Sequence, residues 1–252
     1  MDEFLKITIR SAGEIAKEYF TQGVSATTKA NLGDLLTVAD KAVENFLVQK
    51  ILAEYPDHHI HSEELAEDIN PGGEYEWVID PIDGTRNFAG AIPFWCHLIA
   101  ILKNGEPYLA AAYNPIADEL FFAEAGKGAY LNGRQIKVNS VDTLDFSFGH
   151  IVRNTAQDVA GFKQLALRVI NETTAWAHNF GTMLSACYVA AGGADFFAIN
   201  CGYDHDYLAP ALICAEAGAQ VTDSEGNPWV RGRRDLVIAN PLLHAKLLQF
   251  FK

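Results

Sequence analysis

Residues 77–88 read WVIDPIDGTRNF, an apolar run followed by two closely spaced carboxylates. The first three residues of the run predict a buried strand that delivers Asp80 at its end. Pro81 cannot donate a further ladder hydrogen bond, and it bends the chain. Asp83 comes next, and then Gly84, where the backbone can approach a ligand closely. Two carboxylates on a rigid turn, followed by exposed amides, indicate a site where a hard cation holds a phosphate.

The composition predicts a folded cytoplasmic protein with one large domain, or two small domains that share a core. Of the 252 residues, 49% are hydrophobic, which is enough for a substantial core. Residues 1–4 lack the basic start of a signal peptide, and the longest nearly apolar stretch, residues 91–102, is too short to cross a bilayer. The four cysteines show no C-x-x-C spacing, which is typical of reduced thiols in the cytoplasm.

The formal net charge of −13 limits the classes of partner. Nucleic acids and anionic membranes both favour a basic surface, so neither is expected as the main partner. A phosphorylated small molecule is not excluded, provided that cations lie between the carboxylates and the phosphate. The densest basic cluster, residues 231–234, is short and is predicted to be a solvated turn.

The hydrophobic periodicity divides the chain into halves, residues 1–143 and 144–252, which form one compact unit. The first half predicts two helices, at residues 3–21 and from Thr37 to the residue before Pro56, that cover an antiparallel sheet. Strands of this sheet are predicted at 58–60, 77–79, 95–102, 108–114, 119–124, 129–131 and 135–138. The Asn-Gly dipeptide before the last of them is a strong hairpin signal.

The second half alternates strands with helices, which favours an α/β layer. Strands are predicted at 146–152, 173–178, 194–200, 220–223 and 236–239. Helices are predicted at 156–170, 182–191 and 207–217, with a closing helix from Pro241. We find no internal repeat and no flexible linker between the halves.

Several acidic and histidine residues allow more than one interpretation from the residues alone. Asp40 lies in the first turn of the second predicted helix, where it could serve a site or simply interact with the helix dipole. His58, His59 and His61 could hold zinc or lie in an exposed loop, and no second cluster of matching ligands accompanies them. The two aspartates of the central stretch could merely cap a turn and the following helix.

Five motifs in the same order make the sequence resemble the inositol monophosphatase family of magnesium-dependent, often lithium-sensitive phosphomonoesterases. The resemblance covers essentially the whole chain. The central stretch matches the family signature D-P-[IL]-D-G-T-x-N-F. The other matches are Lys29 with LTVAD at 36–40, Ser62-Glu63-Glu64 in place of Gly-Glu-Glu, GGAD at 192–195, and YDHD at 203–206 followed by EAG at 216–218.

This resemblance implies a five-layered αβαβα sandwich with the site between the two halves. It makes a set of four acidic side chains and one carbonyl the metal ligands: Glu63, Asp80, Asp83, Asp206 and the carbonyl of Ile82. Asp206 is favoured over Asp204 because it lies ten residues before Glu216, as in the family. Oxygen ligands from separate segments, without cysteine, suit two or three Mg²⁺ ions better than zinc.

The resemblance also implies the catalytic groups. Thr85 would position the attacking water, with Asp40 hydrogen-bonded behind it, and Glu63 would join them in catalysis. The amides of Gly84 and Thr85 would hold phosphate at a helix N-terminus. The roles of Arg86, Asp204 and His205 stay open: each could contact substrate, or in the case of Arg86 a partner subunit, or simply be solvated.

The predicted substrate contacts are Asp83, Met183, Ile199 and Asp206. Ile199 stands where inositol-type members usually have a glutamate, Met183 where a small alanine is common, and His178 where an arginine is frequent. We therefore predict a phosphomonoesterase that acts on a small polyol, sugar or related phosphate. Histidinol phosphate, fructose 1,6-bisphosphate and phosphoadenosine phosphate remain alternative substrates.

Two interpretations from other classes remain. The chain could be a non-enzymatic regulator of transcription or RNA processing on the same fold, although it has no long basic cluster. It could also be a zinc hydrolase that uses the histidines near residue 60. The family resemblance further implies a homodimer.

Overall fold

The computed structural model describes residues 1–23, 27–28, 35–153 and 161–252. Lys29 and the start of the helix predicted at 156–170 lie outside these ranges. The helices in the described residues are α1 (Asp2–Gln22), α2 (Val38–Glu54), α3 (Thr85–Ala89), α4 (Phe162–Glu172), α5 (Leu184–Ala190), α6 (Asp204–Glu216) and α7 (Pro241–Leu248). The strands are β1 (Thr27–Thr28), β2 (Leu35–Leu36), β3 (His59–Ser62), β4 (Tyr75–Asp83), β5 (Cys96–Lys103), β6 (Glu106–Asn114), β7 (Glu119–Glu124), β8 (Gly128–Leu131), β9 (Arg134–Ile136), β10 (Phe148–Val152), β11 (Trp176–His178), β12 (Phe196–Ile199), β13 (Gln220–Thr222) and β14 (Leu236–Ala239).

Two large sheets form the body of the protein, beside a small β1–β2 pair. A seven-stranded sheet runs in the order β3-β4-β5-β6-β7-β8-β9, and all its pairs are antiparallel except β3–β4. A five-stranded sheet has the order β11-β10-β12-β14-β13, with β10 parallel to both of its neighbours. The predicted boundary at residue 143 falls in the connection between these sheets, and the division into halves stays a prediction.

The buried apolar side chains form three clusters that join five layers of secondary structure. One cluster joins α1 and α2 to the outer face of the seven-stranded sheet. A second surrounds α5 and α6, which lie between the two sheets. A third joins α4 and α7 to the other face of the five-stranded sheet. The resulting order is the predicted αβαβα sandwich, which the structure confirms.

Strand β4, which carries two of the predicted metal ligands, is buried on both faces. Trp77 and Ile79 belong to the cluster under α1 and α2, whereas Val78 faces the cluster around α5 and α6. The sequence of a strand that has helices on both sides is a continuous apolar run, whereas a strand with one exposed face alternates apolar and polar residues. The same run therefore fixes the position of Asp80 and Asp83 between the two halves.

Two element boundaries near the site differ from the sequence prediction. Strand β4 continues through Pro81 to Asp83, because pairing with β5 resumes beyond an irregularity. Helix α6 begins at Asp204 rather than at Tyr207, because the Asp206 side chain accepts a hydrogen bond from the Tyr203 N–H at 2.5 Å and so caps the helix start. Pro210 then lies inside the helix, where it has no N–H to offer the Asp206 carbonyl.

None of the helices formed by the described residues combines the length and the apolar composition needed to cross a bilayer. All four cysteines are free, as predicted: Cys96, Cys187 and Cys214 are buried, and Cys201 is half-buried.

Candidate metal and phosphate site

Three of the predicted metal ligands converge between the two halves of the molecule. Asp80 and Asp83 lie at the end of β4, and Asp206 lies in the first turn of α6. One carboxylate oxygen from each lies within 4.8 Å of the others. Within the described part of the chain, no other group of three such side chains comes this close.

A β-bulge places the two aspartates of β4. Asp80 pairs with Leu98 of β5 and Asp83 pairs with Cys96, so three residue steps on β4 face two on β5. The bulge falls at Pro81, which has no N–H for the ladder. The Pro81 carbonyl instead accepts a hydrogen bond from Nδ1 of His97.

Burial lowers the pKa of the His97 side chain to about 4, so the imidazole is neutral, and the bond to the Pro81 carbonyl places its single N–H at Nδ1. The neighbouring Ile82 carbonyl accepts from Thr85 Oγ1 at 3.0 Å. A carbonyl oxygen has two lone pairs, so the Ile82 oxygen can still bind a cation. Its role as a ligand stays a prediction.

The carboxylate of Asp83 is oriented by donors from both halves of the chain. Its Oδ2 accepts from the Thr182 hydroxyl, from the Met183 N–H at 2.7 Å and from the Cys96 thiol at 3.4 Å. Burial raises the pKa of the Cys96 thiol well above its ordinary value, so the sulfur stays protonated and acts as a donor. With Oδ2 fully engaged, Oδ1 is the oxygen available to a ligand.

Asp80 is the most deeply buried member of the set, with 2% of its surface exposed. Its Oδ1 has no hydrogen-bond partner among the described residues. Burial raises the pKa of Asp80 well above the ordinary range, and the charges of Glu63, Asp83 and Asp206 add to the shift. A buried carboxylate oxygen without a partner is costly unless a cation or a donor meets it.

Glu63 lies beside this group but outside the set of oxygens within 4.8 Å. It follows β3, and its N–H donates to the Ile79 carbonyl at 3.1 Å, next to Asp80. The Glu63 carboxylate contributes to the raised pKa values of Asp80, Asp40 and Asp206, which places its charge near all three. The parallel pairing of β3 with β4 brings it there.

Asp40 caps the start of a helix and also lies close to Thr85, and its role in catalysis stays a prediction. Its Oδ2 accepts from the Thr37 N–H at 2.8 Å and from the Thr37 hydroxyl at 2.5 Å, which caps the start of α2. Its Oδ1 lies 3.5 Å from Thr85 Oγ1. Burial raises the pKa of Asp40, although the bonds from Thr37 oppose the shift.

Gly84 forms the turn between β4 and α3. Its φ of 91° lies in the left-handed region, and a Cβ at this position would come within 3.2 Å of the Thr182 Cβ. The side chain of Asn87 ties the same turn to a distant segment, because its Nδ2 donates to the carbonyls of Phe94 and Phe180, each at 2.7 Å. The Gly84 and Thr85 amides therefore stand on a rigid turn; phosphate binding by them stays a prediction.

The predicted substrate contacts Met183 and Ile199 are buried in the core between the sheets, with 1% and 7% exposure. Met183 reaches the site through its backbone N–H, which bonds Asp83, and direct contact of either side chain with substrate stays a prediction. His178 is exposed and stacks against Phe180, with ring centroids 5.7 Å apart. Arg86 is exposed.

The three histidines near residue 60 are hydrogen-bonded to other side chains, two of them to the same aspartate, and do not form a zinc site. His58 accepts from Trp77 Nε1 at 3.0 Å, and both His59 and His61 lie 2.8 Å from oxygens of Asp68. They lie in or beside β3 rather than in an exposed loop. Among the described residues, none of them belongs to a group of three ligand atoms that could hold a metal ion.

The basic cluster at 231–234 is an exposed turn, as predicted, but two of its arginines are ion-paired. Arg231 forms ion pairs with Glu76 and Asp204, and Arg233 forms ion pairs with Asp223 and Asp235. The sequence holds no signal for the partners of Arg231, nor for the contacts of His97 and Thr182 with the site, because these partners lie in other segments of the chain.

The donor set fits a hard divalent cation. Its members are carboxylate oxygens on fixed supports, one of them is buried without a partner, and the nearby thiol is protonated. Mg²⁺ prefers such oxygen ligands, whereas zinc favours cysteine and histidine. The identity and number of the ions stay predictions.

The comparisons with known proteins agree with this geometry. A profile of the inositol monophosphatase family matches residues 1–252. The chain is 34% identical to an inositol monophosphatase of Dictyostelium discoideum, over 98% of this chain and 94% of that protein. It is 33% identical to the Nus factor SuhB of Salmonella typhimurium, over 96% and 92% of the two chains.

The solved structure of an IMPase from Thermotoga maritima superposes with a TM-score of 0.91 at 28% identity, and covers 100% of this chain and 97% of that one. The full-length family match, the shared fold and the converging carboxylates agree. The chain therefore belongs to the inositol monophosphatase family and is an enzyme of the phosphoric monoester hydrolase class.

Proposed function

We propose that this enzyme is a Mg²⁺-dependent phosphomonoesterase that releases phosphate from a small polyol, sugar or related phosphate by direct attack of water. The observation that carries the proposal is the meeting of Asp80, Asp83 and Asp206 within 4.8 Å, with Asp80 Oδ1 buried and unpartnered among the described residues. Three carboxylates this close, two of them buried and one half-buried, repel one another strongly when charged unless cations lie between them.

We expect Glu63, the three aspartates and the Ile82 carbonyl to hold two or three Mg²⁺ ions. Bound Mg²⁺ would lower the pKa of a coordinated water and stabilise the negative charge on the departing oxygen. The protein supplies the positions. Asp83 is held by Thr182 and Met183 from the second half of the chain, so the ligands from both halves have a fixed separation before substrate binds.

In this proposal, Thr85 orients the attacking water. Its hydroxyl proton can be donated to the Ile82 carbonyl or to Asp40, which lie 3.0 and 3.5 Å from Oγ1. Either donation directs the proton away from the substrate and leaves the lone pairs of Oγ1 to accept a hydrogen bond from water. The amides of Gly84 and Thr85 bind the phosphate oxygens at the start of α3.

Removal of the Thr85 hydroxyl should slow the reaction with little effect on metal binding. We expect Thr85→Ala to lower kcat by about 100-fold, because proton positioning contributes about 10²–10⁴ in such reactions. Thr85→Ser keeps the hydroxyl and serves as the control, and it should retain most of the activity. Steady-state phosphate release at saturating Mg²⁺ measures both variants, and full kcat in Thr85→Ala would remove Thr85 from the mechanism.

The leaving alcohol is the open part of the proposal. Ile199 is an apolar side chain that cannot accept a hydroxyl hydrogen bond, which weighs against an inositol-type polyol contact at this position. The test is a phosphate-release screen with Mg²⁺ over inositol 1-phosphate, histidinol phosphate, fructose 1,6-bisphosphate, phosphoadenosine phosphate and simple sugar phosphates. We expect turnover of at least one compound, dependent on Mg²⁺ and inhibited by Li⁺. No release from any of them would contradict the proposal.

A regulatory binding role is the second candidate, because several relatives that are 32–33% identical to this chain are named Nus factor SuhB. The net charge of −13 weighs against a nucleic-acid partner. Homodimer formation and residence in the cytoplasm remain part of the proposal, and the four free cysteines favour a reducing compartment.

A further inference from the structure

One arginine connects the two elements that carry the converging aspartates. Arg231 lies in the connection between β13 and β14, residues 223–235. Its Nη1 and Nη2 donate to the two carboxylate oxygens of Glu76, each at 2.7 Å. Its Nε donates to Asp204 Oδ2 at 2.7 Å, and the Gly232 N–H donates to Asp204 Oδ1 at 2.9 Å. All four oxygens of the two carboxylates are therefore engaged by this short segment.

The two partners of Arg231 lie on the same elements as the predicted metal ligands. Glu76 lies on β4, four residues before Asp80 and on the same side of the strand. Asp204 is the first residue of α6, two residues before Asp206. Arg231 thus bridges the strand that supplies two of the aspartates and the helix that supplies the third, and these come from different halves of the chain.

The geometry of this bridge is suited to fixing a separation. A guanidinium is a rigid planar fork, and its bidentate pairing with a carboxylate defines orientation as well as distance. The Glu76 side chain is only 11% exposed and that of Asp204 is 24% exposed, so both partners have little freedom. Repulsion among the three aspartates tends to move the end of β4 away from the start of α6, and the bridge opposes that movement.

We propose that Arg231 is a positioning residue that holds Asp206 at coordinating distance from Asp80 and Asp83, and so increases the affinity of the site for its cation. The inference rests on the metal site of the proposed function. It predicts the direction in which the cation affinity changes when Arg231 is lost. A positive charge near a cation site by itself weakens cation binding. Loss of Arg231 should therefore weaken binding if the bridge matters, and strengthen it if only the charge matters.

A matched control lies two residues away. Arg233 has a similar exposed fraction, 44% against 39%, and it also pairs with two carboxylates. Its partners Asp223 and Asp235 both belong to the same β13–β14 connection. Arg233→Gln therefore removes the same charge from the same segment without breaking a link between β4 and α6.

The test is Mn²⁺ binding, followed by electron paramagnetic resonance and by calorimetry, for the wild type, Arg231→Gln, Arg231→Lys and Arg233→Gln. We expect Arg231→Gln to raise the Mn²⁺ Kd about 10-fold, the lower end of the range for residues that support metal ligands. Arg231→Lys keeps the charge but cannot reach both carboxylates, so it should also weaken binding. Arg233→Gln should leave the Kd unchanged or slightly lower.

A second readout separates positioning from general loss of structure. The Mg²⁺ concentration for half-maximal phosphate release should rise in Arg231→Gln, whereas kcat at saturating Mg²⁺ should stay within a factor of about 3. If Arg231→Gln does not fold by circular dichroism, Arg231→Lys decides the test. Unchanged or tighter Mn²⁺ binding in the Arg231 variants, or equal weakening in Arg233→Gln, would overturn the inference. A wild type that binds no Mn²⁺ would overturn the proposed function and this inference with it.

Discussion

Asp83→Asn should reduce phosphate release by about a thousand-fold or more, since even residues that only support metal ligands cost 10–100-fold when lost. The amide has no satisfactory orientation at this position. If its oxygen accepts from Thr182, Met183 and Cys96, then its NH₂ group faces the cation. If its oxygen faces the cation, then the NH₂ group meets three donors. The carboxylate is the only group of this shape that satisfies both sides.

The same substitution should leave the metal-free protein folded. Burial raises the pKa of Asp83 to about 7, so the folded state gains little from its charge when no cation is present. We expect the circular dichroism spectrum and the EDTA-treated melting temperature of Asp83→Asn to equal or exceed those of the wild type. Asp57→Asn, at an exposed position, serves as the control and should retain full activity. Full activity in Asp83→Asn would refute the assignment of the site.

Millimolar Mg²⁺ should raise the melting temperature by about 5–10 °C. At a concentration a hundred times the Kd, linkage stabilises the folded state by about 2.7 kcal/mol, and each kcal/mol moves the midpoint by about 2–4 °C in a chain of this size. The physical reason is that the cation binds the folded state, in which the carboxylates already meet, and relieves their repulsion. Differential scanning calorimetry with Mg²⁺ and with EDTA measures the shift.

The shift should also depend on pH, with a definite sign. Folding raises the pKa of Asp80, Asp83 and Asp206, chiefly through burial. The metal-free folded protein therefore binds more protons than the unfolded chain over a window of pH. The window begins near the ordinary pKa of a carboxyl group, about 4, and ends at the raised pKa values of the folded state. The free energy of unfolding of the metal-free protein therefore decreases as the pH rises through that window.

We accordingly expect the Mg²⁺-induced increase in melting temperature to be larger at pH 8 than at pH 5.5, because protons compete with the cation at the lower pH. Asp80→Asn, which removes one of the buried charges, should reduce the difference between the two pH values. A melting curve that does not change across a magnesium titration at pH 8 would count decisively against the site.

Much of the fold follows from local sequence patterns. The apolar run at 77–79 predicts β4, because a strand covered on both faces needs apolar side chains on both faces, and the structure confirms it. The strand boundary beyond Pro81 could not be predicted in the same way. His97 donates a hydrogen bond to the Pro81 carbonyl, and Asp83 pairs with Cys96. Both of these partners belong to another strand, β5.

The acidic residues of the site are visible in the sequence, but the residues that hold them are not. Thr182 and Met183 bond Asp83 across 99 and 100 positions of the chain, and Arg231 bonds Glu76 across 155. Such contacts depend on how the two halves pack, and no local periodicity encodes them. The sequence of residues 231–234 therefore predicts the exposed turn that the structure shows, but not the ion pairs that Arg231 and Arg233 form.

The most direct test of the central claim is the anomalous diffraction of Mn²⁺ in crystals of the protein. We predict anomalous peaks in contact with the carboxylates of Asp80, Asp83 and Asp206, with a further contact from Glu63, and loss of these peaks in Asp83→Asn. A metal bound elsewhere, or an active enzyme whose crystals show no peak between these side chains, would contradict the account.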